Sequence, residues 1–265
     1  MADGGLEAVL LRRDGAVTEL ILNRPERLNA IDEEVATQLR EGLVSVGRSS
    51  ECRCLVITGS GRGFCAGQAL PSADDPDGLP RDIGQLVRDR YTSLVQLIRQ
   101  LPIPVLAAVN GVAAGAGFAL ALAADLRVAS EDAWFSCAFA KIGLVPDAGS
   151  SFFLPRYLGF PRAIQLALTG ERISARAAAE LGLVAKVFPA GTFTDDYLEF
   201  ARGLAAGPTR AYGLTKQAFR QALESTLEDQ LELEASLQQE ASETGDFQEG
   251  LRAFREKRPP RFSGR

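Results

Sequence analysis

The chain contains no histidine, and that absence excludes more chemistry than any residue present. Without an imidazole there is no Ser-His-Asp or Cys-His nucleophile system, no histidine general base and no His-ligated metal site. Catalysis has to rest on carboxylates, backbone dipoles, Lys, Tyr or a bound cofactor. Basic charge is also scarce. Lys and Arg total 29 against 34 Asp and Glu, a net charge of −5 with a pI near 5.1, which argues against nucleic-acid binding. The four cysteines are Cys52, Cys54, Cys65 and Cys137. Their single Cys-x-Cys pair has no matching second pair, so neither a zinc site nor a disulfide framework is signalled, and they read as reduced thiols of a cytoplasmic protein. Residues 1–15 lack a basic start, an apolar run and a small-residue cleavage site, so no secretory signal is expected. Residues 100–124 carry no charge and are long enough to span a bilayer. Pro102, Pro104 and Asn110 interrupt them, however, and their Ala and Gly content suits a buried strand, turn and helix better.

What is present is an alternation of short apolar runs and helical stretches over 265 residues, enough for one large domain with a C-terminal appendage. Val17–Leu22 reads as a strand ending at Asn23-Arg24-Pro25, and Asp32 is placed to cap a helix over 33–46. Residues 54–58 form the next strand, apolar on both faces and so covered on both. The turn Gly59-Ser60-Gly61-Arg62-Gly63 follows. A polar loop over 71–80, with Asp74, Asp75 and Asp77 read as solvated, precedes a helix over 83–100 with apolar residues near helical spacing. Val105–Val109 repeats the strand pattern, running into the Gly-rich turn 110–117 and an Ala/Leu-rich helix ending near 124. Strands are expected at 126–129, Trp134–Ser136 and 184–188. The turn Pro146-Asp147-Ala148-Gly149 leads into a helix carrying Phe152, Phe153 and Leu154. Residues 194–257 read as charged amphipathic helices. This shift divides the chain into an α/β core, 1–193, and a helical subdomain, 194–265, suited to packing or self-association.

A strand that feeds a glycine turn and then a helix presents backbone N–H groups without internal acceptors, a setting that favours negative charge. A dinucleotide fingerprint, a phosphate loop or a pair of oxyanion donors could each use it. No Gly-Lys-Ser/Thr is present, and Gly111, Gly115 and Gly117 miss the G-x-G-x-x-G spacing. Close packing of strand on helix would also account for such glycines.

Four motifs narrow the choice. Phe64-Cys65-Ala66-Gly67-Gln68-Ala69-Leu70, followed by Asn110-Gly111-Val112-Ala113-Ala114-Gly115-Ala116-Gly117, strongly resembles the crotonase superfamily of acyl-CoA hydratases and isomerases. Asn23-Arg24-Pro25-Glu26-Arg27-Leu28-Asn29-Ala30 resembles its N-terminal signature. Leu168-Thr169-Gly170 with 178–184, and Ala253-Phe254-Arg255-Glu256-Lys257-Arg258, resemble its later ones. The resemblance covers nearly the whole chain. It implies an α/β spiral of ββα units, a homotrimer or dimer of trimers built through the C-terminal helices, and a CoA thioester as substrate, with no separate cofactor and no metal. It also implies that the thioester oxygen is held by the backbone N–H groups of Gln68 and Ala116. Ala66 and Arg27 fall where the family contacts CoA, as do Phe254 and Lys257, expected to reach a neighbouring subunit's ligand. Preorganised donors at a developing oxyanion contribute several kcal/mol to catalysis.

The departures from the family pattern carry as much. Ala119 and Phe139 stand where hydratases carry the two glutamates that position water and move its proton, so neither can serve as acid or base. Ala69 replaces the usual Asp. Asp147 aligns with the acidic residue of the isomerase branch, which implies a cofactor-independent shift of a double bond or rearrangement of a ring epoxide. An Asp after Pro is also a common helix cap or turn residue. Asp125 reads as a hydrogen-bonding residue at a strand start. Phe139, Trp134 and Phe152 are candidates to line an acyl pocket.

Overall fold

The computed structural model describes residues 7–70 and 82–265; the expected loop at 71–80, with Asp74, Asp75 and Asp77, lies outside them. The strands, in order, are β1 (Val9–Asp14), β2 (Val17–Leu22), β3 (Cys54–Gly59), β4 (Gly63–Cys65), β5 (Val105–Val109), β6 (Val112–Ala114), β7 (Leu126–Ser130), β8 (Trp134–Ser136), β9 (Ile173–Ser174) and β10 (Lys186–Phe188). They form a six-stranded sheet, β1-β2-β3-β5-β7-β10, and a four-stranded sheet, β4-β6-β8-β9. Only β1 on β2 and β9 on β8 are antiparallel.

The order of strands exposes the repeat. β3, β5 and β7 lie side by side in the large sheet, and each is followed by β4, β6 or β8 in the small one. A helix then returns the chain: Ser93–Gln100, Ala116–Ala123 and Ser150–Leu158 in turn. Parallel strands need such crossovers, and here the fold is the expected spiral of ββα units.

The inner strands β3, β5 and β7 of the large sheet are buried on both faces, as the apolar runs of β3 and β5 require. Strand periodicity assigns alternate residues to two clusters. Leu55, Ile57, Val105, Ala107 and Val109 face one core with the helices Glu33–Arg48 and Ala116–Ala123. Cys54, Val56, Leu106, Ala108 and Val128 face the other, against Phe193, Tyr197, Leu198, Ala201 and Ala205 of the helix Phe193–Ala205. That helix begins at the boundary expected between core and appendage, and it packs on the sheet. Glu19, fully buried on β2, binds it there: the Tyr197 hydroxyl donates to Glu19 at 2.8 Å, and Arg12 pairs with the same carboxylate.

Local signals hold at several ends. Asp32 caps the helix Glu33–Arg48, its carboxylate accepting from Val35 N–H. Residues 100–124 resolve into β5, β6 and a helix whose eight residues are all buried, and no helix among the described residues is long and apolar enough to cross a membrane. The expected turn 110–117 is corrected, because β6 sits inside it. The helix expected over 83–100 contains a π-helical turn at Arg88–Thr92. The last strand starts at Lys186, not 184, and the pairing of Ile173–Ser174 with β8 was not foreseen.

Candidate active site

Because β4, β6 and β8 are neighbours in the small sheet, the segments that leave their C-terminal ends emerge together. After β4 comes Ala66-Gly67-Gln68, after β6 comes Gly115-Ala116, and after β8 come Phe139 and, eight residues on, Asp147. Three consecutive repeats thus deliver three parts of one site, as parallel sheets commonly do at their carboxyl ends.

The first two turns interlock at a spacing that only glycine allows. A Cβ on Gly67, whose φ is +97°, would lie 2.8 Å from the Ala114 carbonyl oxygen and 3.3 Å from Ala116 N. One on Gly117 would lie 2.1 Å from the Cys65 carbonyl oxygen. Gly115, with φ +52° and its N–H bonded to the Ser136 carbonyl at 3.0 Å, sets the start of the helix Ala116–Ala123. Ala116 N–H heads that helix and has no intrahelical acceptor, where the helix dipole also favours negative charge. The 67–69 turn is fixed to the N-terminal segment by Ile31 N–H donating to Gly67 O at 2.7 Å and Ala69 N–H donating to Ile31 O at 2.9 Å. This pattern leaves the intervening Gln68 N–H outside the ladder.

Two asparagines brace the approach. Asn29, fully buried, accepts from Arg24 N–H at 2.8 Å and donates to Ser60 O at 2.9 Å and Gly63 O at 2.7 Å. Asn110 accepts from Gly59 N–H at 3.2 Å and donates to Gly61 O and Gly63 O. Leu28 and Asn29 both adopt left-handed backbone, φ 50° and 56°, and Leu28 O accepts from Ala66 N–H. The N-terminal signature therefore holds the 59–66 segment in place, a role not foreseen from the sequence. An Asn that tolerates positive φ within a motif was the available signal.

These turns line one side of a cavity of about 190 Å³ whose lining includes Ala66, Gln68, Tyr91, Ala116, Phe139 and Asp147. Its walls are mainly apolar, with Ile83, Leu86, Val87, Ile142 and Leu144. Asp147 is the only carboxylate among the described lining residues. Its Oδ1 is buried without a hydrogen-bond partner, and burial raises its carboxyl from 3.8 to about 6. Nor does it cap the following helix. Gly149 is the N-cap of Ser150–Leu158, and Asp147 supplies to that turn only its backbone oxygen, which accepts from Ser150 N–H at 2.8 Å. Ala148 beside it holds φ at +48°, a strained state for a residue with a Cβ. A carboxylate kept unpaired, part-desolvated and next to strained backbone is a candidate proton acceptor poised near neutral pH.

The structure therefore brings Gln68, Ala116, Asp147 and Ala66 to one cavity. Arg27 lies in the short 3-10 helix Pro25–Arg27, exposed. Phe254, 84% exposed, and Lys257, at the end of the helix Gly245–Glu256, do not line the cavity of their own chain. Phe139 is a cavity wall, and Ala119 is fully buried in its helix. Trp134 and Phe152 do not line the cavity; they carry the guanidinium groups of Arg172 and Arg156 on their faces instead. Asp125 ties β5 to the C-terminal helices, accepting from Val105 N–H at 2.8 Å and pairing with Lys216 at 2.6 Å.

Comparison with known proteins fixes the class of this site. Residues 12–265 match the enoyl-CoA hydratase/isomerase family, and the chain belongs to that family, with the crotonase fold. It is 46% identical over 261 residues to the 1,2-epoxyphenylacetyl-CoA isomerase of Escherichia coli strain K12, covering 98% of this chain and 100% of that one. It is 45% identical over 246 residues to a protein of Rhodobacter capsulatus named "probable enoyl-CoA hydratase", covering 93% of this chain and 94% of the other. Among solved structures, an enoyl-CoA hydratase from Bacillus anthracis superposes with a TM-score of 0.89 at 32% identity, over 97% of this chain and 100% of that one. The protein is thus a crotonase-superfamily enzyme acting on CoA thioesters.

Proposed function

We propose that this enzyme is an isomerase, and that Asp147 is its proton-transfer group. The observation that carries the reading is Asp147, the single carboxylate among the described residues that line the cavity, with an unpartnered Oδ1, together with Ala119 and Phe139 at the two positions where hydration needs an acid and a base. In a double-bond shift the Asp147 carboxylate takes a proton from C2 of a 3-enoyl thioester. The C2–H electron pair forms the C2=C1 bond of a dienolate, and the thioester oxygen takes the charge while Gln68 N–H and Ala116 N–H donate to it. Return of the same proton to C4 leaves the double bond between C2 and C3, so one carboxylate suffices. The same donors and the same acid could serve the opening and rearrangement of a ring epoxide next to a thioester, the chemistry named for the Escherichia coli relative.

Arg27, Ala66 and, from a neighbouring chain, Phe254 and Lys257 belong in this reading to the CoA-binding surface. The assembly it requires is a homotrimer or a dimer of trimers. The exposed apolar side chains of the C-terminal helices, Phe219, Leu227, Leu231 and Phe254, support self-association. The deciding experiment offers purified enzyme a 3-enoyl and a 2-enoyl CoA thioester. Isomerisation of the first with negligible hydration of the second is expected. Water addition as fast as isomerisation assigns the protein to the hydratases, and binding without turnover to the non-catalytic CoA-ester binders.

A further inference from the structure

We infer that Tyr91 is a positioning residue for the oxyanion hole, holding the Gln68 side chain and through it the Gln68 backbone N–H. This rests on the donor role proposed for Gln68. The Tyr91 hydroxyl donates to Gln68 Oε1 at 2.8 Å. Arg90 Nη1 reaches the same oxygen at 3.4 Å, while its Nε donates to Glu33 at 3.0 Å. Gln68 Nε2 donates to Ala69 O at 2.9 Å. Both the oxygen and the nitrogen of the carboxamide are therefore engaged. The bond from Ile31 N–H to Gly67 O orients the planar peptide unit that also carries Gln68 N–H, and the latch holds the same residue by its side chain, a second constraint on residue 68.

The helix is distorted to make this contact. Its buried residues are Leu86, Tyr91, Leu94 and Ile98, a step of five followed by steps of three and four. An undistorted helix places residue 90 below residue 86 and would bury Arg90. The π-helical turn at Arg88–Thr92 advances the phase by one residue, so that Tyr91 turns inward with 1% of its surface exposed and Arg90 moves to the rim beside Glu33. Such insertions are rare and recur at functional sites. A ring needed only for packing would not require a hydroxyl, which in a buried position must find a partner. Here the partner is the side chain of the residue proposed to polarise the substrate.

The test uses the full-length enzyme and the variants Tyr91→Phe, Gln68→Met and the double variant. Two quantities are read: turnover of the 3-enoyl thioester, and the carbonyl stretching frequency of bound butyryl-CoA, which reports the strength of the donors on the thioester oxygen. Tyr91→Phe is expected to lower kcat about ten-fold or more, as small misplacements of a catalytic group do, with KM little changed. It should also move the bound carbonyl frequency back toward its value in water. Gln68→Met, which keeps the backbone donor, should do the same, and the double variant should be no worse than either single one. Unchanged kcat and carbonyl frequency in Tyr91→Phe, or losses that multiply in the double variant, would overturn the inference while leaving the donor assignment standing. A parent enzyme that leaves the carbonyl frequency unshifted overturns the donor assignment and this inference with it. Should Tyr91→Phe fail to fold, Gln68→Met carries the same expectations alone.

Discussion

Replacing Asp147 by Asn separates catalysis from structure, because the two roles open to this residue predict opposite results. The carboxyl is raised from 3.8 to about 6 by burial, so between those values the folded chain holds a proton that the unfolded chain releases. Stability therefore falls as pH rises from about 4 to about 6 and stays lower above it. At full strength the shift corresponds to about 3 kcal/mol. The side chain is only part-buried, and solvent screening leaves about 1–2 kcal/mol. Asn carries no charge to desolvate, so above pH 6 the Asn variant is expected to be the more stable by that amount, a rise of roughly 2–6 °C in Tm.

Turnover should move the other way. Asn cannot accept a proton, and loss of a general base costs on the order of a hundred-fold or more. In the parent, kcat/KM for the 3-enoyl thioester should rise through about pH 6 as Asp147 ionises. The measurement pairs pH-dependent thermal unfolding of both proteins with steady-state kinetics and the affinity for butyryl-CoA. Activity of Asp147→Asn within a few-fold of the parent would refute the base assignment. A lower Tm in the variant above pH 6 would show that the carboxylate stabilises its loop after all, contrary to its unpartnered Oδ1.

The remaining expectations address the turns, the wall and the assembly. Gly117→Ala should cost at least about 2 kcal/mol and most of the activity, because its Cβ would meet the Cys65 carbonyl oxygen at 2.1 Å; chemical denaturation with unchanged midpoint would show that the two turns tolerate separation. Phe139→Glu should yield a protein of lower stability, since it places a charge on a wall that is 6% exposed. A gain of 2-enoyl hydration in that variant without loss of stability would show a wetter cavity than these side chains imply. Lys257→Ala should weaken binding of the CoA ester while leaving free-chain folding intact, and light scattering should give a trimer or larger at micromolar concentration; an unchanged affinity or a monomer would sever the C-terminal helix from the site.

How much of this was readable from the sequence depended on element length and on whether a role is local. The long apolar strands and the Asp32 cap follow from periodicity and chemistry within a few residues, and the structure places both as expected. β4 and β6, three residues each, lie in glycine-rich segments too short to show a period, so β6 reads as part of a turn and β4 is not read as a strand. Their pairing is what aligns the segments carrying Gln68 and Ala116, and it is a long-range property. The inward position of Tyr91 was hidden for a related reason: a π-helical turn breaks the 3.6-residue period by which buried helix positions are found. Asn29 and Asn110 act on the same carbonyl, Gly63 O, from 34 and 47 residues away, a convergence no local pattern announces. Asp147 is the instructive intermediate case. Its sequence neighbourhood, Pro before and Gly after Ala148, describes a turn aspartate as well as a proton acceptor. The distinction came from the backbone: once Gly149 caps the helix, the carboxylate has no structural duty in that turn, and Asp147 lines the cavity with its Oδ1 unpartnered.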